Sequence, residues 1–171
     1  MSDDLAQRIN RVSRLEGSFV LRSGQRSAHY FDKYRFEADP VLLRELARRM
    51  LDLLPDRAEV LAGLELGGVP IATAMSLESG MPLAFVRKAA KTYGTCRAVE
   101  GSEVRGRRTV IVEDIISTGG AVADAAVLLR GEGAELVRVV CAIWRGKGAP
   151  GIAGLADLPV IPLLTEADLA G

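Results

Sequence analysis

Residues 108–121 read Arg108-Thr109-Val110-Ile111-Val112-Glu113-Asp114-Ile115-Ile116-Ser117-Thr118-Gly119-Gly120-Ala121. Thr109 to Val112 form a β-prone apolar run that ends in a carboxylate pair. Two apolar residues follow, then a small, polar, Gly-rich turn, and then a helical pattern from Ala121 to Arg130. The order predicts a strand, an acidic tip, an anion-binding loop and a helix. Backbone N–H groups at the start of such a helix can cradle a phosphate. Carboxylates beside that loop suit sugar hydroxyls, so a phosphorylated sugar is the expected class of ligand.

Outward from this stretch, strands alternate with helices. Leu5, Ile9, Val12 and Leu15 have helical spacing over 4–16. Phe19–Leu21 and His29–Phe31 read as short strands around a Ser23-Gly24 turn, with His29 a partly exposed strand residue. Asp39-Pro40 opens a helix through Leu42, Leu43, Leu46, Met50 and Leu53. Strands are expected at 59–64, 82–86, 109–113, 135–143 and 160–164, with helices at 71–79 and 120–130. This alternation predicts an α/β domain with a mostly parallel sheet flanked by helices. Ligands in such sheets bind beyond the carboxyl ends of the strands. Loops 64–68, 87–101 and 113–120 fall there. The first 36 or so residues break the pattern and are expected to form a small hood on a single 171-residue domain.

Composition narrows the class. Apolar residues make up 49%, which excludes a disordered chain. No apolar run approaches the roughly 18–20 residues of a membrane span, and the acidic N-terminus does not resemble a secretory signal. Two cysteines without a CxxC and a single histidine argue against structural zinc and for a reducing, cytoplasmic setting. Net charge is zero, so no nucleic acid or anionic membrane is called for. Within 87–108, however, seven cations face two carboxylates, a net +5. Such a run is usually a solvated loop. Here it precedes an anion-binding loop, and both favour the same polyanion. P-loop, G-x-G-x-x-G, H-E-x-x-H and G-x-S-x-G motifs are absent.

Residues 109–121 resemble the phosphoribosyl diphosphate (PRPP) signature of type I phosphoribosyltransferases. Within that superfamily, residues 16–146 are similar to orotate phosphoribosyltransferases. Phe19–Gly24 with Ser27–Asp32 resembles that family's hood, Gly63–Pro70 its pyrophosphate loop, and Phe85–Gly94 the start of its catalytic loop. The resemblance implies the type I phosphoribosyltransferase fold and transfer of ribose 5-phosphate from PRPP to orotate.

It also implies roles for individual residues. Arg87, Lys88 and Lys91 would hold the diphosphate, Lys91 as the catalytic lysine, with amides of Leu66, Gly67 and Gly68 completing that site. Glu113 and Asp114 would hold the ribose hydroxyls. Ile115 and Ile116 would lead into Ser117, Thr118, Gly119, Gly120 and Ala121, which would take the 5′-phosphate. Mg²⁺ would be held mainly by PRPP and water, with no direct protein ligand expected. Arg145 would grip the orotate carboxylate, Ser117 and Arg22 would approach the base, and Tyr30 and Phe31 would pack on it. Ordinary strand packing is the alternative for Tyr30 and Phe31, and a surface arginine for Arg145. The family usually forms homodimers that share the mobile loop across the interface.

The chain departs from the family pattern in three places. Glu113 stands where aspartate is commoner, Tyr93 where many relatives have histidine, and Gly67 where some have lysine. A purine phosphoribosyltransferase and a non-catalytic PRPP-sensing regulator are the rival readings.

Overall fold

The computed structural model describes residues 3–21, 23–89 and 97–170. Helix α1 (Asp3–Ser13) leads into an antiparallel hairpin of β1 (Arg14–Val20) and β2 (Arg26–Phe31). The expected helix over 4–16 thus stops at Ser13, and Leu15 pairs with Tyr30 in the hairpin instead. The Ser13 carbonyl accepts the Asp32 N–H at 2.8 Å, tying the helix end to the end of β2. One short helical turn, α2 (Tyr34–Glu37), precedes α3 (Pro40–Leu51). Asp39 caps α3 as its sequence predicts: Oδ1 accepts from the Val41 and Leu42 amides at 2.9 and 3.1 Å, with Pro40 inside the first turn.

The main sheet contains β3 (Val60–Leu64), β4 (Leu83–Val86), β5 (Val99–Gly101), β6 (Arg108–Ile116), β7 (Glu135–Trp144) and β8 (Val160–Thr165), in spatial order β5-β4-β3-β6-β7-β8. Every neighbouring pair is parallel except β4–β5. Helices α4 (Gly68–Ser79), α5 (Gly120–Gly131) and α6 (Glu166–Ala170) complete the chain. Alternation along each strand builds a core on both faces. Val60, Ala62, Leu64 and Ile111 pack with Val122, Ala126 and Leu129 of α5. Leu61, Val110 and Val112 pack with residues of α1, α3 and α4. No helix among the described residues is long and apolar enough to cross a membrane.

Two differences from the sequence reading bear on the site. Residues 99–101 are not loop: Val99–Gly101 adds an antiparallel edge strand, and the Arg87 amide donates to the Ala98 carbonyl at 2.8 Å. β6 also continues through Ile116, because Ile115 and Ile116 pair with Ile143 and Trp144. Glu113 and Asp114 therefore lie within a central strand, buried, rather than on a solvated tip.

Candidate active site

Strand alternation turns Asp114 to the face of Val112, toward α2 and the start of α4. Its carboxylate forms an ion pair with Lys33, and Ile115 donates its amide to Oδ1. Gly67 makes this approach possible. A β-carbon there would lie 1.6 Å from Asp114 Oδ2 and 3.0 Å from Glu37 Oε1. The residue has ordinary helical dihedrals, so glycine is required by space and not by conformation. Glu37 is buried, and neither carboxyl oxygen has a hydrogen-bond partner among the described residues. Burial, and then the nearby Asp114 charge, pushes its pKa up to about 9. Burial and the Asp114 charge likewise push Glu113 up to about 8. Both carboxyls are thus shifted toward the protonated form.

Glu113 accepts the Asp114 amide at 2.9 Å and lines a cavity of about 170 Å³ above the β6–α5 turn. The same cavity is walled by Ile115, Ile116, Ser117, Thr118, Gly119, Gly120 and Ala121. This brings most of the expected PRPP-binding residues together. Ser117, Thr118, Gly120 and Ala121 are exposed, whereas the Ile116 side chain is buried in the core. Gly119 turns the chain with φ +78°, and a β-carbon there would meet Ile152 at 2.8 Å. The turn thus presents the first amides of α5 to a small, open concavity, a geometry suited to an anion.

A second cavity, about 490 Å³, adjoins the other side of that turn. Arg87 and Lys88 line it with Glu65, Thr118, Gly120, Ala121 and Asp124. The buried Nε of Arg87 has no partner among the described residues, and a buried donor of that kind calls for an acceptor. Glu65 Oε2 accepts the Lys88 amide at 3.0 Å, and the Glu65 amide donates to the Val86 carbonyl at 2.8 Å. Glu65 thereby holds the two cations next to the turn before α4. Leu66 is 59% exposed beside it, and the Glu65–Leu66 peptide is cis.

On the hood side, Tyr30, Phe31 and Arg145 line a further cavity of about 490 Å³ with Leu21, His29 and Glu166. Arg145 Cζ lies 4.3 Å from the Phe31 ring centre. Tyr30 stacks on Phe19 with ring centres 5.5 Å apart. Ser117 does not line this cavity; it belongs to the concavity of the β6–α5 turn. Arg22, Lys91 and Tyr93 lie outside the described residues.

Sequence reading missed Lys33, Glu37 and Glu65. The four-residue spacing of Lys33 and Glu37 on one helical turn was the only local signal, and α2 is too short for periodicity to reveal.

A mostly parallel sheet with a turn suited to an anion after its central strand, buried carboxyls beside it and cations across from it defines a phosphoribosyl-transferring class of site. The family model for the phosphoribosyl transferase domain matches residues 39–153. An orotate phosphoribosyltransferase of a Nocardioides species is 54% identical over 165 residues, covering 96% of this chain and 92% of that protein. The Halobacterium salinarum orotate phosphoribosyltransferase is 37% identical, with 98% and 96% covered. The Mycobacterium tuberculosis orotate phosphoribosyltransferase, solved in complex with PRPP, superposes with a TM-score of 0.81 at 30% identity, with 99% of each chain covered. The chain belongs to the orotate phosphoribosyltransferase family, of type I phosphoribosyltransferase fold.

Proposed function

We propose that this chain transfers the 5-phosphoribosyl group of PRPP to N1 of orotate, releasing pyrophosphate and forming orotidine 5′-monophosphate for pyrimidine synthesis. The bond from C1 to the diphosphate oxygen breaks, and the bond from C1 to N1 forms. Positive charge gathers on the ribose and negative charge on the leaving group, so cations and N–H donors aimed at the diphosphate lower the barrier. Arg87 and Lys88 face that cavity, and Lys91 follows them in the chain as the proposed catalytic lysine. The Ser117–Ala121 turn takes the 5′-phosphate. Asp114 and Glu113 hold the ribose hydroxyls.

Magnesium fits this arrangement as the counter-ion of PRPP. The two carboxyls beside the cradle are hard oxygen donors that can hold the ion through ribose hydroxyls and water. When bound, it neutralises the diphosphate.

The observation that carries the choice of acceptor is Arg145, set on the Phe31 face and open to the cavity that Tyr30 lines. A guanidinium over an aromatic wall matches a flat, carboxylated pyrimidine. A purine offers no carboxylate for it. The regulator reading would need a basic surface elsewhere, yet outside 87–108 there are 15 cations against 20 carboxylates. The proposed setting is the cytoplasm, and the proposed assembly is a homodimer sharing the catalytic loop.

The test is orotate consumption at its absorbance band with PRPP and Mg²⁺, run against hypoxanthine, guanine and uracil. Consumption of orotate alone is expected. Transfer to a purine in its place overturns the assignment of the acceptor.

A further inference from the structure

Lys33 lies beside the buried end of β6, paired with Asp114. An ammonium has three N–H donors, and Asp114 engages it on one side. Its side chain remains 32% exposed, while that of Asp114 is 2% exposed. The Tyr34 ring lies 5.2 Å from Nζ. Beneath it, the Gly67 backbone crowds the same Asp114 oxygen so closely that no side chain can enter from the loop. The buried Glu37 carboxyl completes the floor beside the Gly67 backbone. The ion pair, the ribose-side carboxylate and the start of α4 therefore meet within one small volume.

The chemistry of the donor then fixes what Lys33 can reach. In a sugar 1-diphosphate, the carbon bearing the diphosphate is bonded to the carbon bearing the 2-hydroxyl. A carboxylate that accepts from that hydroxyl lies next to the diphosphate, and a cation paired with the carboxylate can reach the diphosphate from there. We propose that Lys33 contacts the diphosphate of the donor, held in place by Asp114, and supplies the positive charge that the Leu66-Gly67 turn lacks. This rests on PRPP being the donor.

Calorimetric titration with magnesium pyrophosphate, PRPP and ribose 5-phosphate separates the possibilities. In Lys33→Met, affinity for pyrophosphate and PRPP is expected to fall about tenfold, the scale of one charge-assisted contact. Ribose 5-phosphate, which carries the hydroxyls but no diphosphate, is expected to stay within about twofold. Lys33→Arg should recover most of the loss, since the charge is kept. Unchanged pyrophosphate affinity overturns the proposal. So does an equal loss for ribose 5-phosphate, which would make Lys33 a support for Asp114 alone. If Lys33→Met leaves Asp114 unpaired and does not fold, Lys33→Met/Asp114→Asn is compared with Asp114→Asn on pyrophosphate, and equal affinities overturn it as well. A wild-type protein that binds neither pyrophosphate nor PRPP removes the donor reading, and the role of Lys33 with it.

Discussion

The Arg145 guanidinium carbon sits 4.3 Å from the centre of the Phe31 ring, joining the first residue beyond β7 to the last residue of β2. Arg145 also lines the cavity beside that ring. Its buried Nε has no hydrogen-bond partner among the described residues. Arg145→Lys should therefore not be conservative. An ammonium neither stacks on the ring nor grips a carboxylate with two parallel donors. The Michaelis constant for orotate is expected to rise about tenfold or more, the scale of one lost bidentate contact. That for PRPP should stay within about twofold, as steady-state kinetics with each substrate varied will show.

Glu166 Oε1 lies 3.8 Å from Arg145 Nε, and its side chain is 68% exposed. Such an ion pair contributes little to stability, about 0–1 kcal/mol. It does compete with an incoming carboxylate for the same guanidinium. Glu166→Gln is expected to lower the Michaelis constant for orotate about two- to threefold at low ionic strength. The advantage should shrink as salt is added, so kinetics over a salt series provide the check.

Gly67→Ala would place a methyl group 1.6 Å from Asp114 Oδ2. Asp114 or the turn must move. PRPP affinity should fall at least about tenfold by calorimetry, and Tm should drop by several degrees, on the order of 2–4 °C for each kcal/mol lost at this chain length. The orotate cavity should be little affected, because Gly67 does not line it.

Glu37 gives the fold a pH dependence of defined sign. Burial raises its pKa in the folded chain to about 9 from an ordinary value near 4.5. The folded state thus keeps a proton that the unfolded state sheds above about pH 4.5. The stability associated with this group is complete below that pH and is lost progressively as pH rises toward 9. Glu113, raised to about 8, acts in the same direction. Glu37→Gln mimics the protonated form and should flatten the profile. Scanning calorimetry from pH 5 to 9 should give nearly equal Tm for the two proteins at pH 5. The variant should be the more stable at pH 8, by several degrees.

The sequence made the β6–turn–α5 segment legible because its signals are local. Branched residues, two acids and a Gly-rich turn follow one another without interruption, and Gly119 does turn the chain with positive φ. The Asp39 cap was legible for the same reason. Lys33 beside Asp114 was not, since the pair joins a one-turn helix to a distant strand and depends on how the hood sits on the sheet. β5 escaped because it has three residues, one of them glycine, and its pairing is with β4 rather than with its own neighbours in sequence. The acidic pair was expected to end its strand. Pairing of Ile115 and Ile116 with Ile143 and Trp144 of β7 lets β6 continue past it, a long-range contact that no pattern of residue types foretells. Arg145, in contrast, was found by resemblance alone, and its contact with Phe31 adds a physical reason for its orientation.

β6 and β7 stay hydrogen-bonded past the acidic pair, and the Arg145 amide still donates to the Ile116 carbonyl at 2.8 Å. Arg145 and the Ser117–Ala121 turn, proposed to face the base and the 5′-phosphate, thus leave two paired strands at the same end of the sheet. The span between them is set by covalent geometry and strand pairing, not by side-chain adjustment. With those proposed roles the pair would act as a calliper with fixed jaws: a nucleotide of one length fits, and a longer base or sugar has to lift the hood or be refused.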